Sequence, residues 1–247
     1  MSASAANAQL TTQRCAVLMP VGNHLDPRID AAVAELGRRG YAIFKSYGGS
    51  AIDSVRNRMA SDALAEGFKE TFWIDSDVLF HPDSVDVIRA HELPLCSALY
   101  AQKGRPPAFA SQFLSGTSEL SFGTQGGLVE ILYADAGFLH ARREVYEAVQ
   151  RVAELPICNT RFGKPLVPYF LPMIIPDENT QEAPPDAQWY LPENSSFSER
   201  ARRAGYKIMA DTSIRLGHIG NYEYGWEDVG APRTRNAGCT FRIEGAP

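Results

Sequence analysis

Two carboxylates, Asp75 and Asp77 with Ser76 between them, follow the apolar run Thr71–Ile74 (TFWI). Alternate residues of a strand share a face, so the two side chains are expected to converge. Carboxylates that close repel one another, and both stay ionised only beside a cation or in water. Their hard oxygens suit Mg²⁺ or Mn²⁺, with phosphate oxygens filling the remaining octahedral positions. The plainer alternative is a solvated Asp-Ser-Asp turn that caps the helix after it, because Asp and Ser are common turn residues. What separates the two is whether Thr71–Ile74 is a buried strand with its carboxyl end open to a ligand.

The surrounding elements supply that strand. Cys15–Val21 (CAVLMPV) is a short apolar run bounded by turn residues, the pattern of a buried strand. Asp26-Pro27 reads as an N-cap with proline at the first helical position. The helix it opens carries Ile29, Ala32, Val33 and Leu36 on one face and stops at Gly40. Tyr41–Tyr47 is a second predicted strand, and a helix over 51–67 has Ile52, Val55, Met59 and Leu64 as its expected buried positions. Thr71–Ile74, a helix at His81–His91 and a strand at Pro94–Tyr100 continue the alternation. The fold class is therefore α/β, with a mostly parallel sheet and helices on both faces. Ligands collect at the carboxyl ends of such strands, which is where the Asp cluster falls.

The second half is more mixed. Phe109–Leu132, punctuated by Gly116, Gly123, Gly126 and Gly127, reads as hairpins. Gly137–Ala141 is a strand and Arg143–Val152 a helix, while Leu166–Ile175 carries two prolines and is irregular or at a sheet edge. The polar stretch 176–185 is a candidate flap. A helix at Ser195–Ala204 feeds a strand at Lys207–Ala210, and no clear periodicity follows His218. No linker divides the chain. The expectation is a disordered tail over 1–14 and one domain over 15–247, its nucleotide-binding half near 15–105 and its acceptor-side half near 106–247.

Composition excludes several classes. Lys plus Arg total 24 against 29 Asp plus Glu, a net charge of -5, so the basic excess that phosphate neutralisation demands of a nucleic-acid binder is missing. The four cysteines (Cys15, Cys96, Cys158, Cys239) are scattered without a Cys-x-x-Cys pair and read as reduced thiols. The first residues lack the apolar core of a signal peptide, and no run reaches the ~18 apolar residues of a membrane span. A cytoplasmic location is expected.

Four segments, in order, resemble GT-A glycosyltransferases of the bacterial and phage family-2-like kind. FWIDSDVLFHPDSVDVI is similar to their DXD region, and AIDSVRNRMASDAL to the helix whose Arg-Asn pair lies near the nucleotide. DAGFLHARREVYEAV looks like their glycine-containing acceptor-side strand and following helix, and ENSSFSERARRAGYKIMADTSIRLGHIG like their closing helix–strand–His module. The resemblance implies a GT-A (Rossmann-like) fold with a smaller mixed acceptor-side portion. It implies a metal-dependent enzyme that moves a sugar from a nucleoside-diphosphate sugar to a hydroxyl of a glycan, lipid-linked or other acceptor. Asp75 would contact the ribose or nucleotide and touch the metal through water, Ser76 would sit with it at the donor, and Asp77 and His218 would bind Mn²⁺ or Mg²⁺. Pro20 and Gly22 match the place where the base docks. Arg56 is a candidate contact for base or diphosphate, or else a solvated helix charge. Lys103, past the fourth strand with Tyr100, would neutralise the diphosphate.

The base of catalysis departs from the family pattern. Relatives often show Glu-Asp before Phe-x-x-Arg, whereas this chain has Glu193-Asn194. Glu193 is then the candidate base, or only a carboxylate favoured at a helix N-terminus. Tyr222, Tyr224, Trp226 and Trp189-Tyr190 offer faces on which a sugar could stack. A nucleotidyltransferase or a sugar-nucleotide hydrolase would share the nucleotide-and-metal site, but the first expects a Gly-x-Gly-x-x-x-Arg start and MPVGNHLDPR has one glycine. Asn194 also leaves open a catalytically degenerate sugar- or nucleotide-binding module.

Overall fold

The computed structural model of the chain describes residues 12–22, 24–104, 108–177, 184, 186–220, 222–229 and 238–243. β1 (Cys15–Val21), α1 (Pro27–Arg38), β2 (Ala42–Tyr47) and α2 (Ile52–Ala65) come first. β3 (Glu70–Ile74), the short β4 (Val78–Leu79), α3 (Asp83–Ala90) and β5 (Leu95–Ala98) complete the first half. The second half adds β6 (Glu119–Gly123), β7 (Leu128–Ile131), β8 (Phe138–Arg142), α4 (Arg143–Val152), β9 (Met173–Pro176) and β10 (Gln188–Leu191). It ends with α5 (Glu193–Arg203), β11 (Ile208–Asp211), β12 (Gly217–Ile219), β13 (Glu223–Tyr224) and β14 (Gly238–Arg242).

The central sheet has seven strands in the order β2-β1-β3-β8-β5-β11-β7. β1 is parallel to β2 and β3, and β11 is parallel to β5. β8 inserts antiparallel between β3 and β5, and β7 closes one edge antiparallel to β11. The fold is mixed α/β with a mostly parallel sheet, consistent with a Rossmann-like arrangement.

β1 is apolar throughout because both of its faces are covered. Cys15, Val17, Met19 and Val21 point to one layer with Ile29, Val33 and Leu36 of α1, while Ala16 and Leu18 point to the other with Met59, Ala60 and Ala63 of α2. The Asp26 cap forms as its sequence implies, accepting from Arg28 N at 2.8 Å.

Three expectations are corrected. Of the four apolar positions predicted to face inward on α2, Met59 is buried, Val55 and Leu64 are half-buried, and Ile52 is 37% exposed. The inward face instead carries Arg56 and Asn57, whose partners are Asp75 and the Phe170 amide. Apolar periodicity cannot find a face whose key residues are an arginine and an asparagine. The hairpins expected over Phe109–Leu132 are long-range pairs: β6 with β14, and β7 with β11. The intervening turn lies on Thr212, whose amide and hydroxyl bond to Gly127, and a Cβ on Gly126 would meet the Thr212 backbone at 2.7 Å. Thr12–Arg14, expected within the tail, form a 3-10 turn that leads into β1.

The rest of the proposed tail and most of the candidate flap lie outside the described residues. Cys15, Cys96 and Cys158 are free thiols, and burial pushes the Cys96 thiol up to about 12. Among the described residues no helix is long and apolar enough to cross a membrane.

Candidate active site

β3 ends at Ile74, and the chain turns at once. Val78 N donates to the Asp75 carbonyl at 3.1 Å, and Asp75 N donates to Gly137 O of the segment entering β8 at 3.0 Å. The Asp-Ser-Asp cluster is therefore a tight turn rather than a strand end, and strand alternation no longer governs it. The two carboxylates engage different partners.

Asp75 turns inward. Both of its oxygens lie 3.0 Å from Arg56 Nη2. The Arg56 side chain is buried beneath the turn, its guanidinium 5.5 Å from the Trp73 ring, which removes the solvated alternative. Burial raises the pKa of Asp75 and so do Asp135 and Asp77, more than Arg56 lowers it. Burial alone would lower the pKa of Arg56, but Asp75, Asp135 and Glu193 together raise it. Arg56 Nε and Nη1 have no hydrogen-bond partner among the described residues, and Nε stands 3.8 Å from Glu193 Oε1.

Asp77 turns outward, and two groups converge on its Oδ2: the Lys103 ammonium, in direct contact, and His218 Nε2 at 3.5 Å. Its burial would raise its pKa, but His218 and Lys103 hold it at about 2. His218 arrives from 141 positions away in sequence because β12 pairs with β4, aligning His218 with Val78, and Ile219 N donates to the Asp77 carbonyl at 2.7 Å. His218 Nδ1 lies 2.8 Å from Ala101 O, a pure acceptor, so Nδ1 carries a proton. With Nδ1 so held, Nε2 is the ring nitrogen turned toward Asp77 Oδ2: as an N–H it donates to the carboxylate, and as a lone pair it is a ligand for a cation.

The pocket beside the turn is a cleft of about 270 Å³ lined by Pro20, Val21, Gly22, Ser46, Gly49, Ile52, Val55, Asp75, Ser76 and Asp77. Pro20, Gly22 and the Asp cluster line it together, Lys103 and His218 reach Asp77, and Arg56 lies behind Asp75. Glu193 is the first residue of α5, beside Arg56. Among the described residues no group of three or more His, Cys, Asp or Glu is placed to hold a metal ion, since Asp75 faces Arg56 while Asp77 and His218 face each other.

Sequence reading assigned no role to Asp135. Its Oδ1 accepts from the Tyr100 hydroxyl and from Gly137 N, and the Tyr100 ring sits edge-on to His218 at 5.2 Å. A Cβ on Gly137 would collide with the Tyr100 hydroxyl and lie 2.8 Å from Tyr100 Cζ, so Gly137 clears the tyrosine's path. The available signal was the Asp-x-Gly at the mouth of a predicted strand. Of the proposed stacking aromatics, Trp226 and Tyr224 are buried, Trp226 against Phe122 and Arg215, and Trp189 packs on Tyr133. Tyr190 and Tyr222 are exposed.

No protein-family model and no curated protein matches the chain. Among solved structures, the crystal structure of A197 from STIV is similar over 84% of this chain and 86% of that chain, with 13% identity and a TM-score of 0.50. At that identity the likeness concerns the fold, a mixed α/β architecture shared over nearly the whole of both chains.

Proposed function

We propose that the chain is a GT-A glycosyltransferase that transfers a sugar from a nucleoside-diphosphate sugar to an acceptor hydroxyl with the help of Mn²⁺ or Mg²⁺. The observation that carries this reading is the meeting of Asp77 and His218 at the end of the cleft formed by Pro20, Gly22 and the Asp turn. These groups come from separate segments of the chain, brought together by the pairing of β12 with β4 and the turn after β3. Two protein donors are few for a resident metal but suit one brought with a substrate, because Mg²⁺-type sites commonly combine one or two carboxylates with phosphate oxygens and water.

A divalent cation bound at Asp77 and His218 would supply Lewis-acid stabilisation of the departing diphosphate. Asp75, held by Arg56 at the wall of the cleft, would accept hydrogen bonds from the donor's hydroxyls. Glu193 takes the proton of the acceptor hydroxyl. The acceptor oxygen bonds to the anomeric carbon, and the bond from that carbon to the diphosphate breaks. Asn194 cannot take the proton, and its Oδ1 is buried without a hydrogen-bond partner among the described residues.

A thermal-shift screen of UDP, GDP, TDP, CDP and ADP with and without Mn²⁺ tests the site. One nucleotide should raise Tm only with the metal, and Asp77→Ala should abolish that shift while the fold stays intact. A Tm rise that is the same without Mn²⁺, or that survives Asp77→Ala, refutes the reading. Binding without turnover of any corresponding nucleotide sugar would favour the degenerate binding module.

A further inference from the structure

An ammonium rests on the carboxylate oxygen that a metal ion at Asp77 would need. The Lys103 ammonium rests directly on Asp77 Oδ2, the same atom that His218 Nε2 faces at 3.5 Å. The contact is partly open to solvent, with side-chain exposures of 34% for Lys103 and 41% for Asp77. An exposed pair of this kind is weakly held and readily exchanged. The lysine also has a prepared path. A Cβ on Gly220 would sit 3.2 Å from Lys103 Cδ and 3.4 Å from Cγ, so the glycine leaves a lane for the flexible stem. Lys103 and His218 share a support as well, because His218 Nδ1 bonds to the carbonyl of Ala101, two residues before the lysine.

We propose that Lys103 is an exchangeable counter-ion: its ammonium occupies the cation position on Asp77 in the free protein, yields it to an arriving divalent cation, and moves onto the diphosphate that arrives with it. The proposal rests on the function proposed above. Asp77 thereby keeps a positive neighbour in both states. The lysine holds the carboxylate ionised and oriented toward His218 when no substrate is bound. Once displaced, the same charge lies next to the cleft, where the incoming group is a dianion or trianion. A compact ammonium on a four-carbon stem is suited to such a move, whereas a planar guanidinium would grip the carboxylate with two nitrogens.

The test separates the two states of the lysine. Binding of Mn²⁺ alone is followed by electron paramagnetic resonance, and binding of the nucleoside diphosphate found in the screen is then measured calorimetrically in saturating Mn²⁺. Lys103→Met should bind Mn²⁺ alone about two- to fivefold more tightly, the worth of losing a solvent-exposed competitor. It should bind the diphosphate about tenfold or more weakly, the loss of one charged hydrogen bond. Gly220→Ala keeps every charge and crowds the lysine stem together with the edge of the Tyr224 ring, whose Cε2 lies 3.0 Å from the added Cβ; in a Tyr224→Leu background, where the stem alone is crowded, it should also tighten Mn²⁺ alone. Unchanged or weaker Mn²⁺ binding by Lys103→Met overturns the exchange. So does tightening by Lys103→Met without any by Gly220→Ala, because net charge then accounts for the effect. If the wild-type protein binds neither Mn²⁺ nor any diphosphate, the function proposal itself fails.

Discussion

Replacing Arg56 by Met asks most directly whether the buried guanidinium is what allows Asp75 to stand ionised beneath the turn. Methionine keeps most of the aliphatic stem and loses the guanidinium with its contact to the Trp73 ring. What disappears is the positive charge whose Nη2 lies 3.0 Å from both oxygens of Asp75 and whose Nε faces Glu193 at 3.8 Å. Arg56 is the cation among three carboxylates that act on it, Asp75, Asp135 and Glu193. Removing one partner of a buried pair costs roughly 3–5 kcal/mol, because the other charge stays buried and uncompensated. For a chain of this size each kcal/mol moves Tm by about 2–4 °C, so Arg56→Met should lower Tm by roughly 6–20 °C.

The counterpart, Asp75→Asn, leaves Arg56 with Asp135 and Glu193 and should cost less, about 1–3 kcal/mol. In the double variant the orphaned carboxylate is gone, so the combined loss should fall short of the sum by about 2 kcal/mol. Urea unfolding at fixed m value reads all three differences. The sign of the pH dependence follows from the same geometry. Asp75 already has a folded-state pKa above its ordinary value, and losing Arg56 raises it further. An ionised Asp75 then destabilises the fold, and the penalty is relieved as pH falls and the carboxyl takes up its proton. The deficit of Arg56→Met should shrink toward acid pH. A loss below about 1 kcal/mol, or strictly additive losses, would show that Arg56 does not neutralise Asp75.

Gly137→Ala should destabilise by about 1–3 kcal/mol, because its Cβ enters the space of the Tyr100 hydroxyl, and adding Tyr100→Phe should recover part of that loss in thermal melts. Glu70 accepts from Arg89 Nε at 2.8 Å and lies 3.2 Å from His140 Nε2; burial opposes ionisation, but the two partners hold it at about 2 against an ordinary 4.5. A depressed carboxylate stabilises above its unfolded pKa, so the gap of about 3 kcal/mol between wild type and Glu70→Gln should be full at neutral pH and close between about pH 4.5 and 2 in urea titrations. Glu193→Gln should leave diphosphate and metal binding intact and slow sugar transfer roughly 10²–10⁴-fold; transfer at the wild-type rate would move the base elsewhere.

The parts of this fold that were legible in the sequence are those governed by burial period. β1 and α1 announce themselves because each apolar residue has one layer to face, and the Asp26-Pro27 start is local chemistry. The direction of a strand has no such mark. Phe138–Arg142 reads the same whether it runs with its neighbours or against them, so the antiparallel insertion of β8 between β3 and β5 could not be seen. β4 and β12 hold two and three residues, too few to carry any period, yet their pairing is what sets His218 beside Asp77. The site was legible as residue types, since carboxylate, histidine, lysine and arginine were each picked out. Its geometry was not, because the strand alternation assumed for Asp75 and Asp77 ends at Ile74, one residue before the cluster begins. A single backbone bond, Val78 N to Asp75 O, turns two carboxylates expected to converge into one that serves a buried arginine and one that faces the cleft's exit. That division of labour ties Asp75 to Arg56 and leaves Asp77, at the end of the cleft, facing His218 and Lys103.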